Sequence, residues 1–529
     1  MKAFQKQNHS VDTNPSLDQT RPEYEVMEWW SDGAMGRNKQ HATPTTRTRN
    51  PELRTRNPEN ASVLIVVLWV IFGLIAITLY FAHSMSFELR AADNRVAGME
   101  AEQAIEGARR YFSCVLSNIN QAGTLPDPTT YLNQAVPIGN AHFWLIGRAL
   151  DDGSATTAAT PAFGLIDESS KFNLNNAPSN ILISLPRMTP QLVANILAWR
   201  STNTTSLSGG AESDTYSTLP QPYLAKNAPF ETVDELRLIY GMDMETLYGE
   251  DANLNGILDP NENDGDNLPP SDNMDGRLDP GLLEYVTVYS REPGTCTYTN
   301  QQNQVISNVT RVNVTTLVSS SFVQSTNRGS SVNPPAAVQS SGITSLQTNL
   351  EEVLGIQRAA QIMTQVTSSR QSYNSPLQFF VQAGLSPSEI PLVETIVRGS
   401  NIVGLINVNT ASLAVLNCIP GLTNGMAQNL VSYRASNTNN LNGSIAWVTQ
   451  VLDANTIAQA GPYLTGRSYQ YTVDVAALGH NGRGYRRVRF VYDTRRGVPV
   501  IVHRQDLSRL GWALGKEVRD KWLLGKPTS

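Results

Sequence analysis

The chain has 529 residues, 16% of them charged, and a formal net charge of −6. So acidic and sparsely charged a chain lacks the basic face of a general nucleic-acid binder, and no nucleic-acid partner is expected. At ~150 residues per domain the length predicts about two to four folded units. The three cysteines (Cys114, Cys296, Cys418) are too far apart for a CxxC metal or redox motif, though an oxidising compartment would allow one disulfide.

Residues 1–61 are polar and rich in Pro, Asn, Thr and Arg, which predicts a disordered cytoplasmic leader. Residues 63–82 (VLIVVLWVIFGLIAITLYFA) form an uncharged run of about 20 residues, the length that crosses a bilayer. Arg47, Arg49, Arg54 and Arg56 precede it and place the N-terminus in the cytoplasm. No break follows. The sequence SMSFELRAADNRVAGMEAEQAIEGARRYF continues in good helix formers to Phe112. The prediction is one helix of about 50 residues, half in lipid and half in water. A simple signal anchor fits the apolar run equally well; the helical continuation favours a stalk.

Residues 172–200 align without gaps with residues 406–434. Asn173 matches Asn407, Asn175 matches Asn409, Pro186 matches Pro420 and Arg200 matches Arg434. Each copy reads as Asn-rich turn, helix, turn, helix, with the asparagines expected to cap the first helix and the proline to mark the turn. This is similar to a helix-hairpin-helix, more closely in the second copy (Cys418-Ile-Pro-Gly-Leu). Where DNA-binding hairpins present glycine amides to phosphate, the first copy has Arg187-Met188. A structural or protein-contact use is therefore predicted.

Residues 251–262 match a twelve-residue calcium loop position by position. Asp251, Asn253 and Asn255 offer oxygens at positions 1, 3 and 5. Gly256 makes the turn, Ile257 offers its carbonyl, Asp259 stands at position 9, and Glu262 closes the loop. Hard oxygen donors at this spacing select Ca²⁺ over zinc. A second acidic stretch repeats part of the pattern with Asn273, Asp275, Gly276 and Asp279, while Ser271 and Leu282 replace the outer ligands. The competing reading is a surface loop that binds nothing. Short spacing leaves no room for mobile flanking helices, so a bound ion is expected to be structural.

Residues 297–345 are a Ser/Thr/Gln/Asn-rich expansion with strand-like pieces such as Arg311-Val-Asn-Val-Thr-Thr-Leu317. Helical patterns resume at 345–366 and 386–397. Residues 469–502 alternate and read as closing strands, with Arg483, Arg486, Arg487, Arg489, Arg495 and Arg496 as a solvated edge. No GxSxG, HExxH or phosphate loop occurs, and no enzyme is expected. The adjacent carboxylates Asp167 and Glu168 are read as structural, near the junction of sheet and helical insert.

Together these features resemble the type II secretion minor pseudopilin K (general secretion pathway protein K) family. The residues that carry the resemblance are Ser62-Val-Leu-Ile-Val-Val-Leu-Trp69, Phe163-Gly-Leu-Ile-Asp-Glu-Ser-Ser-Lys-Phe-Asn-Leu-Asn175 and Lys226-Asn-Ala-Pro-Phe-Glu-Thr-Val-Asp-Glu-Leu-Arg-Leu-Ile-Tyr-Gly241. Tyr285-Val-Thr-Val-Tyr-Ser290 and Ile406-Asn-Val-Asn-Thr-Ala411 complete it. The resemblance implies an α+β fold: a pilin-like long N-terminal helix on a small antiparallel sheet. Between the strands lies a large inserted, mainly helical domain with two helix-hairpin-helix-like repeats.

It further implies cleavage by prepilin peptidase, here between Ala61 and Ser62, with Asn60-Ala61 in place of the family's usual glycine. Counting from Ser62, the fifth position is Val66, where many pilin-like subunits carry Glu and this family does not. The implied role is a non-enzymatic tip subunit that initiates or caps a pseudopilus and helps export folded proteins. Its partners would be other minor pseudopilins and exported proteins, its location the inner membrane with the bulk periplasmic, and its cofactor Ca²⁺.

The domains expected are a leader (1–61), the transmembrane and amphipathic helix (62–118), the first part of the sheet (119–172) and the helical insert with calcium loops (173–284). A strand and Ser/Thr-rich expansion (285–345), a second helical part (346–440) and C-terminal strands with a tail (441–529) follow. The rival reading is a membrane-anchored calcium-binding surface or adhesion protein.

Overall fold

The computed structural model describes residues 59–119, 121–149, 161–202, 209–317, 340–369, 372–437, 443–516, 518 and 521. Leader residues 1–58, residues 318–339 of the expansion and the side chains of Ala61 and Ser62 lie outside the described part. The described residues divide into two units, one up to Leu79 and one from Tyr80 onward.

Helix α1 runs Glu59–Ser117. In the first unit its described side chains are exposed and, apart from Thr78, apolar, among them Leu64, Trp69 and Phe72. It is long and apolar enough to cross a membrane. Gly107 does not break α1, because it serves a close approach: a Cβ there would stand 2.5 Å from Ile138 Cδ1.

In the second unit a six-stranded antiparallel sheet comprises β1 (Val136–Ile138), β2 (Ala141–Ile146), β3 (Ile166–Asp167), β4 (Gln470–Leu478), β5 (Arg486–Asp493) and β6 (Val500–Asp506). Its order is β1-β2-β4-β5-β6, with β3 continuing β2 along the same edge of β4. The strand-like run at 469–502 thus forms β4, β5 and the start of β6. Every residue of β4 is buried because both faces are covered. One face packs on α1, where Ala101, Ala104 and Ala108 let the helix approach and Phe112 fills the gap to Phe143 and Phe490. The other face sets Trp144, Ile146 and Leu478 against Ala513 and Leu514.

The arginine edge needs correction. Arg487 is fully buried, its guanidinium 2.8 Å from Asp474, which also receives Arg489 at 2.8 Å. Burial opposes the charge on Asp474, yet the two guanidiniums hold its pKa far below the usual carboxylate range. Arg483, Arg486 and Arg496 are exposed as expected, whereas Arg487 and Arg489 belong to an ion cluster with Asp474. All three cysteines are free thiols, so the disulfide left open by their number is not formed.

Between β3 and β4 lies the helical domain, with one large apolar core. Its repeat units follow the turn-helix-turn-helix order the alignment predicts and occur three times among the described residues. The first helix pair is α2 (Ser179–Leu182) and α3 (Pro190–Arg200); the next is α4 (Ser340–Leu354) and α5 (Ile356–Ser369); the last is α6 (Leu413–Asn417) and α7 (Asn424–Ser436). The helical pattern at 345–366 is two helices, divided at Gly355. Each unit opens on a two-residue parallel ladder: Phe172–Asn173 with Val286–Thr287, Val312–Asn313 with Val397–Arg398, and Ile406–Asn407 with Leu464–Thr465.

In each unit the ladder asparagine accepts from the amide two residues on. Asn173 accepts from Asn175 and Asn407 from Asn409 at 3.0 Å, and Asn313 from Thr315 at 3.1 Å. These asparagines brace the turn instead of capping the helix; Ser412 caps α6, and α2 has no side-chain cap. A left-handed residue joins each helix pair: Arg187 (φ 61°), Gly355 (φ 86°) and Gly421 (φ 88°).

Candidate calcium loops and their setting

The loop 251–262 is drawn together by its own polar groups. The Asp251 carboxylate accepts from the amides of Asn255 and Gly256, each at 2.9 Å, while the Asn253 oxygen accepts from Asn255 at 3.0 Å and the Asn255 oxygen from Ile257 at 2.7 Å. Glu262 folds back, accepting from Ala252 at 3.1 Å and from Asp259 at 3.0 Å. The Asn253 and Asn255 side-chain nitrogens both donate to Asp259, at 2.8 and 3.0 Å. Leu254 and Gly256 take positive φ (55° and 70°), which makes the sharp turn. The structure thus brings every predicted residue of this loop into one compact turn.

Burial governs the electrostatics. It pushes Asp251 and Asp259 above the usual carboxylate range. Glu262 is 1% exposed and is pushed up to about 8, first by burial and then by the charges of Asp251 and Asp259. Oxygen donors at low exposure fit a hard divalent cation. Among the described residues no three His, Cys, Asp or Glu side chains form a metal cluster, Asp251, Asp259 and Glu262 included.

The loop is also held from outside. Arg487 donates to the carbonyls of Asn253 and Leu254, and Arg148 to Leu254 at 3.1 Å. The Asn253 amide reaches the Trp512 carbonyl at 3.2 Å. Arg148 is itself paired with Glu284 at 2.9 Å.

The second stretch is completed by residues the sequence pattern does not reveal. The Asn263 oxygen accepts from Gly276 at 3.1 Å, as Asp251 accepts from Gly256, so Asn263 takes the place of Ser271. Glu250 accepts from Asp279 at 2.9 Å, as Glu262 accepts from Asp259, so Glu250 takes the place of Leu282. Asn273 donates to Asp279 at 3.1 Å and accepts from Asp275 at 2.8 Å. Glu250 is 2% exposed and burial raises its pKa. No sequence spacing points to Glu250 or Asn263, since both lie before the loop they complete.

The carboxylates Asp167 and Glu168 are buried at the junction of sheet and repeats. Asp167 accepts from Asn407 at 2.8 Å, from Thr410 at 2.6 Å and from Ser468; Glu168 accepts from Thr287 and Thr472. At the second hairpin, a Cβ on Gly421 would stand 2.6 Å from Gln459 Cβ. That turn is packed against the helix Ala454–Ala460, a structural use of the hairpin.

Residues 179–248 match the family model for the type II secretion system (T2SS), protein K. The chain carries a type II secretion protein K domain. The resemblance to minor pseudopilin K is thereby borne out, on α2, α3 and the segment that leads to the first loop. Residues 400–442 match the helix-hairpin-helix motif, the second of the two repeats read from the sequence. A chain of the GspK-GspI-GspJ complex of the enterotoxigenic Escherichia coli type 2 secretion system is similar at 11% identity, over 80% of this chain and 98% of that one. Its TM-score is 0.36. No curated protein matches the chain.

Proposed function

We propose that the chain is a minor pseudopilin of a type II secretion system, anchored in the inner membrane through α1 with its bulk in the periplasm. The protein K domain carries the reading. On it, the amphipathic half of α1 and the sheet are the pilin-like core, and the repeats are the insert. Prepilin peptidase cleaves between Ala61 and Ser62, and the subunit joins other minor pseudopilins at the tip of a pseudopilus. There it initiates or caps assembly and helps folded proteins leave the cell. The work is structural, not catalytic. The adhesin reading gains no support.

Calcium belongs to the same proposal. Asp251, Asn253, Asn255, Ile257, Asp259 and Glu262 would hold one ion. Asn273, Asp275 and Asp279, with Glu250 and Asn263, would hold a second. Bound Ca²⁺ would offset the mutual repulsion of the buried carboxylates.

The test is N-terminal sequencing of protein from cells with and without prepilin peptidase. A start at Ser62 only when the peptidase is present is expected. An intact leader in both strains would defeat processing at this site and favour an anchored scaffold.

A further inference from the structure

The turn between β4 and β5 sits astride the water-side part of α1. A Cβ on Gly479 would stand 2.2 Å from the Ala97 carbonyl oxygen, and one on Gly484 2.3 Å from the Ala97 carbonyl carbon. Only glycine permits so close a saddle. Between these glycines His480 reaches along the helix in both directions. Its Nε2 is 2.8 Å from Asp93 and its Nδ1 is 2.6 Å from Glu100, about two helical turns apart. The His480 backbone amide also donates to Glu100, at 3.0 Å.

A neutral imidazole donates from one nitrogen only, so two carboxylate acceptors are both satisfied only by imidazolium. The other groups facing this cluster are Arg483, paired with Asp93, and Asn140, which donates to Glu100. Arg486 lies beside Gly98, 3.6 Å from where its Cβ would be. Neither arginine replaces the proton that Glu100 shares with the ring.

We propose that this turn is a pH-sensitive latch on α1, closed while His480 is imidazolium between Asp93 and Glu100 and loosened when the ring is neutral. The two carboxylates raise the His480 pKa above its ordinary 6.5. The latch therefore contributes in full below the unfolded-state value and is lost as pH rises through the folded-state value. In alkaline surroundings the turn releases its hold on the Asp93–Glu100 stretch of the helix.

The test uses the full chain in detergent micelles. Exchange of the imidazole C2 proton, followed by mass spectrometry, should give His480 a pKa above 6.5, falling toward 6.5 in the D93N/E100Q double variant. Amide exchange, corrected for intrinsic rate, should lose several-fold protection at 93–100 and 478–485 between about pH 6 and about pH 9. In His480→Gln that protection should be low and independent of pH. A His480 pKa at or below 6.5, or an unchanged pH dependence in His480→Gln, overturns the latch.

Discussion

Arg487 donates to the Leu254 carbonyl at 2.7 Å, so β5 grips the backbone of the first candidate calcium loop. The same guanidinium is bound to Asp474, and both side chains are fully buried. Replacing Arg487 with Met leaves Asp474 buried with Arg489 alone and leaves the two loop carbonyls without this donor. Loss of one partner of a buried pair costs ~3–5 kcal/mol, whereas an apolar replacement of both is far better tolerated. R487M should therefore lose about that much in urea denaturation, and D474L/R487M less. A loss within ~1 kcal/mol for R487M would mean that the cluster does not join loop to sheet.

Glu262 gives a pH signature with a definite sign. Its unfolded-state value is near 4.5 and its folded-state value is about 8. A raised carboxyl contributes stability while protonated, and that contribution is lost as pH rises from the first value through the second. In chelator at about pH 8, E262Q should melt at or above the parent, because the buried charge is gone. With calcium the parent should gain thermal stability and the variant should not. An equal calcium shift in both proteins would remove Glu262 from the ligand set.

The second loop makes its own prediction. If Glu250 serves it as Glu262 serves the first, E250Q abolishes one of two calcium-binding events in calorimetry and leaves the other intact. Retention of both events in E250Q would leave Leu282 unreplaced and the second stretch a plain acidic turn.

Local spacing made the first loop readable, because all its donors fall within one twelve-residue turn. The second loop was half readable for the same reason: Glu250 and Asn263 arrive from the preceding loop, and only the folded chain brings them to Asp279 and Gly276. The repeats follow the same rule. The 172–200 and 406–434 copies share their Asn and Pro landmarks, while the third keeps the ladder asparagine, Asn313, but has Leu354 before its turn glycine and only that glycine, Gly355, between its helices. Its identity lies in backbone geometry. Arg487 was misread because an alternating strand with arginines looks solvated until Asp474 is placed beside it.

The turn between the paired helices separates a structural hairpin from a ligand-presenting one. Gly421 has φ 88°, and its missing Cβ would stand 2.6 Å from Gln459 Cβ. Gly421→Ala should cost ~1–2 kcal/mol for the left-handed backbone, with a further ~1–3 kcal/mol for displacing the packed helix. Arg187 holds the equivalent place in the first copy at φ 61°, and its partner Glu245 is 77% exposed on its side chain. Arg187→Gly trades relief of ~1 kcal/mol of backbone strain for a surface pair worth ~0–1 kcal/mol, and should be close to neutral. Denaturant melts of the two variants should therefore differ by more than ~2 kcal/mol, with the second copy the sensitive one. Parent-like stability in Gly421→Ala would show the turn to be open instead of packed, and would return the hairpin to the class that can present backbone amides to an anion.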